Sequence, residues 1–208
     1  MTDWAERRAG LVSHLRDRED LGSETLDAMR SVPRHAFVPE RNRTAAYDDT
    51  PLPIGDGQTI SAPHMVAIMT DLLDLSAGTR VLEIGTGCGY HAAVTAEVVG
   101  AENVYSVEYH DDLAHRARET LAATGYDGVS VRAGDGKQGW PEYAPYDRAY
   151  LTCAASELPQ AVVDQVAPGG MVLAPLGDRR QRLVRARKRD DGSLAREEHG
   201  HVRFVPLQ

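Results

Sequence analysis

The sequence predicts an α/β fold: a doubly wound, mostly parallel seven-stranded sheet with helices on both faces, preceded by a helical extension. Two observations predict it. From residue 61 onward, short apolar runs alternate with segments of helical spacing, the order of elements that builds a parallel sheet. One of those runs, Val81-Leu82-Glu83-Ile84, ends in Gly85-Thr86-Gly87-Cys88-Gly89 and leads into a helix. A chain of 208 residues, 42% of them hydrophobic, suffices for one buried core.

The elements follow in order. Residues 3–17 predict a helix with Trp4, Leu11, Val12 and Leu15 as its apolar positions. Ser23 is the expected cap of a second helix carrying Leu26, Met29 and Val32, closed by Pro33. Residues 39–60 lack periodicity and hold Pro39, Pro51, Pro53, Gly55 and Gly57. A connection of that length in a compact domain is usually functional or disordered. Pro63 suits the first turn of a helix spaced by Met65, Val66, Ile68, Met69, Leu72 and Leu73. Strands are expected at 80–84, 104–107, 129–131, 147–151 and 171–174, with two more near 182–188 and 201–205. Helices are expected after the glycine turn, at 111–124 and near 158–166. Residues 1–60 therefore read as N-terminal helices and a covering loop, in the same domain as a core at 61–208. Ligands of such sheets sit at the carboxyl ends of the strands, so the loops after Glu83, Val107, Ala133 and Leu151 should share one crevice.

Composition narrows the partners. A net charge of −8 argues against a nucleic-acid binder, which needs clustered positive charge. The one basic run, Arg179 to Arg189, partly alternates with Leu183, Val184 and Ala186, as on the solvated face of a strand. Cys88 and Cys153 are the only cysteines and have no metal-type spacing, so no disulfide framework and no metal are expected. No apolar run reaches the length of a membrane span, and no secretory signal opens the chain. A cytoplasmic setting is the expectation, with a monomer the simplest assembly.

Glycines at 85, 87 and 89 let a ligand lie against bare backbone. The dinucleotide fingerprint would need a third glycine or alanine at Tyr90. A carboxylate at Glu83 would repel a pyrophosphate but suits a cation, and S-adenosylmethionine carries both an ammonium and a sulfonium. Glu108, after the second strand, can accept from two ribose hydroxyls. Asp135, between Gly134 and Gly136, can accept from an adenine amino group or simply make an Asp-Gly turn.

A methyl acceptor must lie in line with the sulfonium. A carboxylate acceptor is ionised at neutral pH and needs donors to aim it rather than a base. Ser61, at the expected cap of the helix carrying Met65, offers a hydroxyl for this, although a serine there can equally be a plain N-cap. His64 reads as a base or as a structural residue, and Cys88 as a small packing residue.

Thr59-Ile60-Ser61-Ala62-Pro63-His64-Met65 resembles the signature of the protein-L-isoaspartate O-methyltransferases. So do Val81 to Tyr90, Gly134-Asp135-Gly136, Ala144-Pro145-Tyr146-Asp147 and the ending Arg203-Phe204-Val205-Pro206-Leu207. The motifs stand in the family's order over roughly residues 23–207. The resemblance implies a Rossmann-like class I methyltransferase fold, with S-adenosylmethionine as donor and S-adenosylhomocysteine as product. It implies esterification of the α-carboxylate of L-isoaspartyl residues in damaged peptides and proteins, followed by collapse to a succinimide and repair. Ser61 would be catalytic. Thr59, Ile60, Ser61, Glu83, Gly85, Gly87, Gly89, Glu108, Tyr109, Asp135 and Gly136 would hold the cofactor. Ser61, His64 and Val205 would meet the substrate, and residues 39–60 would cover the site. Cys88, Lys137 and the run Leu151 to Ser156 depart from the family's usual residues. They leave room for a relative that methylates aspartyl groups of a dedicated partner. A nucleotide-dependent oxidoreductase and a non-catalytic adaptor are the readings from other classes.

Overall fold

The computed structural model describes residues 3–208. Helix α1 (Trp4–Arg18) starts at Asp3, whose carboxylate accepts the N–H groups of Ala5 and Glu6, satisfying donors a helix start leaves free. It buries Leu11, Val12 and Leu15. Helix α2 (Ser23–Ser31) is capped by Gly22 and not by Ser23, which is its first residue. The Gly22 N–H and the Thr25 hydroxyl both donate to Asp71 instead. The cap is thus supplied from another helix, which local sequence does not reveal.

The segment 39–60, without periodicity in the sequence, is ordered. It forms a 3-10 turn at Glu40–Ala45 and a hairpin of β1 (Leu52–Gly55) and β2 (Gln58–Ile60). The hairpin turns at Asp56-Gly57, with φ of 53° and 71°, a pair of left-handed positions that Asp-Gly favours. Arg34, fully buried, fastens this segment: its Nε donates to the Ala46 carbonyl at 2.9 Å. Its guanidinium lies 4.9 Å from the Tyr90 ring centre.

Helix α3 (Pro63–Leu72) leads to β3 (Val81–Ile84) and α4 (Tyr90–Val99). Then come β4 (Val104–Glu108), α5 (Asp111–Ala123) and β5 (Ser130–Ala133). The chain returns through β6 (Tyr146–Leu151), the short α6 (Gln160–Asp164) and β7 (Val166–Leu176), and ends in β8 (Gln181–Lys188) and β9 (Leu194–Val202). The large sheet has seven strands in the order β5-β4-β3-β6-β7-β8-β9. Five are parallel, and β8 and β9 join antiparallel.

Two boundaries differ from expectation. The last strand spans 194–202 rather than 201–205. Its polar Arg196, Glu197 and Glu198 give no apolar signal, because an edge strand half in water need not have one. Arg182 and Arg185 of the basic run pair with Glu198 and Glu197 across the β8–β9 ladder. Helix α6 is shorter than expected because β7 begins at Val166 and passes through Gly169 and Gly170.

Side chains of β3 alternate between two cores, as strand pleating requires. Val81 joins a cluster with residues of α1 to α5, while Leu82 and Ile84 join one with Val162 and Val163 of α6. Leu11, Val12, Leu26 and Met29 share the first cluster with Val66, Val94 and Tyr90. The N-terminal helices are therefore packed into the same core as the sheet. No described helix is long and apolar enough to cross a membrane.

Candidate active site

The carboxyl ends of β3, β4, β5 and β6 open into one cavity. Its walls include Gly85, Gly87 and Cys88 after β3, Glu108 at the end of β4 and Tyr109 after it, Gly136 after β5, and Thr152 and Cys153 after β6. The hairpin contributes Thr59 and Ile60, followed by Ser61, and the C-terminal segment contributes Val205.

The glycine turn is built from within. The N–H groups of Gly85, Gly87 and Gly89 go to the Val107 carbonyl, a Glu108 carboxylate oxygen and the Thr86 carbonyl. None of the three remains for a ligand, contrary to a turn that offers its own donors. What the turn offers is bare backbone. A Cβ on Gly85 would lie 2.3 Å from the Thr152 hydroxyl oxygen, at a φ of +98°. Gly85→Ala is therefore expected to lower stability by about 1–3 kcal/mol from strained backbone alone, with further loss from the clash. Thermal unfolding measures it, and an unchanged midpoint would contradict the close packing.

Glu108 is 5% exposed and lines the cavity. One carboxylate oxygen accepts the Gly87 N–H at 2.8 Å, and the other accepts the His110 N–H at 3.0 Å. Each oxygen keeps lone-pair capacity for one further donor.

Glu83 does not reach the cavity. It is fully buried under the turn, where one oxygen accepts from the Tyr150 hydroxyl at 2.9 Å and the other shares a hydrogen bond with Ser106. Ser106 also contacts Thr86 of the turn, and Tyr150 contacts Thr95 at 3.1 Å. Burial pushes the Glu83 carboxyl up to about 8, since desolvation disfavours the charged form. Alternation along a strand explains the miss: Glu83 points to the helical face while the ligand space lies beyond the strand end.

His91 lines the cavity, and its ring lies 4.5 Å from that of Tyr150. Thr70 donates its hydroxyl proton to the Val66 carbonyl, so the 3.2 Å contact with His91 Nε2 needs the proton on the ring nitrogen. Burial pushes His91 down to about 3.

These two groups shape stability in opposite directions. Glu83 keeps its proton in the fold, whereas the unfolded chain releases it near its ordinary value of 4.5. Its contribution is full below that value, falls as pH rises, and is gone above about 8. His91 is neutral in the fold, so its contribution is present above its ordinary 6.5 and is lost as pH falls toward about 3. Between pH 6.5 and 8 Glu83 acts alone of the two. Unfolding free energy from urea titrations should fall across that window, and Glu83→Gln should flatten the slope. An identical slope in the variant would refute the assignment.

Three further positions lie off the cavity wall. Gly89, with φ of 89°, starts α4 against Leu121 of α5. Asp135 turns its carboxylate to the Lys137 N–H at 2.9 Å, the local Asp-Gly turn, and leaves Gly136 at the wall. His64 lines not this cavity but an adjoining cleft. Its Nδ1 lies 2.9 Å from Asp49.

The cleft also contains Pro51, Met65, Arg203 and Phe204. Thr59, Ser61, Thr152 and Val205 line both spaces and form the wall between them. Ser61 is not the helix cap. Ala62 holds that position, and α3 takes no side-chain bond from it. Thr152 and Cys153 were foreshadowed only by the expectation that the loop after Leu151 would share the crevice. Burial holds Cys88 up at about 11 and Cys153 at about 12, so both are thiols near neutral pH and neither is an activated nucleophile. Among the described residues no cluster of side chains fits a metal ion.

The family model for protein-L-isoaspartate(D-aspartate) O-methyltransferase matches residues 6–208. A curated protein-L-isoaspartate O-methyltransferase 2 of Archaeoglobus fulgidus is 52% identical, with 99% of this chain and 94% of that one covered. A protein-L-isoaspartate O-methyltransferase of Methanopyrus kandleri is 50% identical over 96% of this chain and 90% of its own. A solved protein-L-isoaspartate O-methyltransferase superposes with a TM-score of 0.90 at 31% identity, covering 97% of this chain and 66% of that longer one. A Plasmodium falciparum structure, described as a protein-L-isoaspartate O-methyltransferase in complex with S-adenosyl-L-homocysteine, superposes at 0.83 with 26% identity, covering 97% and 98%. By a family model spanning nearly its whole length and relatives at half identity, the chain belongs to the protein-L-isoaspartate(D-aspartate) O-methyltransferase family.

Proposed function

We propose that the cavity over the glycine turn holds the methyl donor, that the adjoining cleft holds the isoaspartyl residue, and that Ser61 works at the wall between them. The reaction is that of the family: S-adenosylmethionine-dependent esterification of the α-carboxylate of L-isoaspartyl residues. The observation that carries the division of labour is that Thr59, Ser61, Thr152 and Val205 line both spaces. A transfer between two bound molecules needs spaces that meet, and these residues mark where they do.

The residues fit a nucleoside with a cationic tail. Glu108 presents a carboxylate for ribose hydroxyls, while Ile60, Ile84 and Val107 supply apolar surface for a base. Gly85, Gly87 and Gly136 let the ligand lie close to the backbone. Tyr109, 55% exposed, stands at the rim. Glu83 acts from beneath, through Ser106 and Thr86, and not by contact. When bound, S-adenosylmethionine supplies a methyl carbon on sulfonium sulfur, which a carboxylate oxygen attacks as the C–S electron pair returns to sulfur.

No proton changes hands, so the chain needs no base at the reacting atoms. Its task is to orient the acceptor and exclude water. Ser61 donates its hydroxyl to one carboxylate oxygen and so aims the other, with His64 and Val205 holding the rest of the residue in the cleft. Holding two reactants in line can lower a barrier by about 7–11 kcal/mol, which makes placement the main source of rate. The β1–β2 hairpin closes the donor side, pinned by Arg116 to Asp56 at 2.9 Å.

A peptide carrying one isoaspartyl residue, incubated with enzyme and S-adenosylmethionine beside its normal aspartyl twin, tests the proposal by mass spectrometry. One added methyl on the isoaspartyl peptide and none on the twin is expected. Methylation of the twin at an equal rate would point to an aspartyl acceptor, and none on either would reject the reading.

A further inference from the structure

We propose that Asp49 is a positioning residue for methyl transfer: one carboxylate oxygen takes both the backbone N–H and the ring Nδ1–H of His64, and so anchors Ser61 at the wall between the two spaces. The inference deepens the reading above and rests on it for the role of Ser61.

The N–H groups at the start of α3 need partners. A helix leaves its first N–H groups without intrahelical partners. Here the first helical residue is Pro63, which has none. The N–H of His64 donates to Asp49 Oδ1 at 2.9 Å. The N–H groups of Met65 and Val66 donate to the Ala62 carbonyl at 3.0 and 3.1 Å. The account closes without Ser61. A side chain from the covering segment, fifteen positions earlier, does the work that a capping serine would otherwise do, and the Ser61 hydroxyl is spared for the cavity.

The same oxygen lies 2.9 Å from His64 Nδ1. That contact fixes the ring, because a carboxylate accepts only from a nitrogen that carries its proton. His64 lines the cleft on its other side, so one carboxylate sets two groups of the acceptor site. Asp49 and His64 line a recess with His14, Leu15 and Arg18 of α1 and with Glu19 just beyond its end. Asp49 stands two residues before Pro51 of the cleft wall. Bonds to a charged acceptor are roughly twice as strong as neutral ones. This bond ties the covering segment, α3 and the acceptor site to a single atom.

Two variants and two independent readouts test it. Asp49→Ala removes both bonds, while Asp49→Asn keeps a carbonyl oxygen able to accept both. In Asp49→Ala, hydrogen exchange of the segment 59–66 should quicken about 10-fold or more, as for the loss of a charge-assisted bond. Turnover of the isoaspartyl peptide should fall about 100-fold, as for a misplaced reacting group. S-adenosylhomocysteine affinity should fall far less than turnover, since Asp49 itself lines no part of the donor cavity. Asp49→Asn should restore both protection and most of the turnover. Unchanged exchange in Asp49→Ala overturns the anchoring, whatever the activity. Loss of cofactor affinity in parallel with turnover, or no rescue by Asp49→Asn, overturns the positioning role. Faster exchange in the variant, beside a wild type that methylates no isoaspartyl peptide, would leave the anchor standing and reject the functional reading.

Discussion

Glu108→Ala is expected to weaken S-adenosylhomocysteine binding by about 100-fold or more. Two effects combine. A ribose loses a charged acceptor, at about 1.5–3 kcal/mol for each hydrogen bond to a charged group, and each 1.4 kcal/mol is about tenfold in affinity. The Gly87 N–H, held at 2.8 Å by the same carboxylate, loses its partner as well, so the glycine turn loosens under the ligand. Glu108→Gln keeps an acceptor of the same shape and should fall between the two. Calorimetry with S-adenosylhomocysteine measures this. Full affinity in the alanine variant would show that the nucleoside does not sit against β4.

Ser61→Ala should do the reverse, with turnover falling about 100- to 1000-fold, the scale of removing one donor aimed at a reacting oxygen. Cofactor affinity should be largely kept. The structure adds a control, because Ala62 and not Ser61 is the helix cap. A capping serine would cost about 1 kcal/mol of stability when replaced. Ser61→Ala should instead leave stability within about 0.5 kcal/mol, as for a position outside the packing. A destabilised variant that still turns over would return Ser61 to a capping role.

The sheet was legible because its signals are local. The alternation of apolar runs and helical spacing marks β3 to β7, and the glycine turn marks the crevice. Two kinds of information were not local. Caps came from distant side chains: Asp71 serves α2 and Asp49 serves α3, so Ser23 and Ser61, which look like caps, are not. Orientation was the other. Glu83 is an acid in the right strand, but it faces the helical layer, and Asp135 spends its carboxylate on its own turn. The hairpin over the cavity did carry a signal in Asp56-Gly57. The prolines at 51 and 53 masked it, because a strand containing proline lacks the donors of a regular ladder. Among the wall residues, Thr59, Ile60, Ser61, Gly85, Gly87, Glu108, Tyr109, Gly136 and Val205 are brought together by the fold. The sequence suggested each of them by its place after a strand or in a shared motif.

A crystal structure with S-adenosylhomocysteine and an isoaspartyl peptide bound together probes the arrangement most directly. The nucleoside should rest against Glu108 and the glycine turn, with its sulfur facing the Ser61 wall and the peptide carboxylate on the far side, bonded to the Ser61 hydroxyl. A peptide carboxylate seated away from Ser61, or a nucleoside outside the space between β3 and β4, would contradict it.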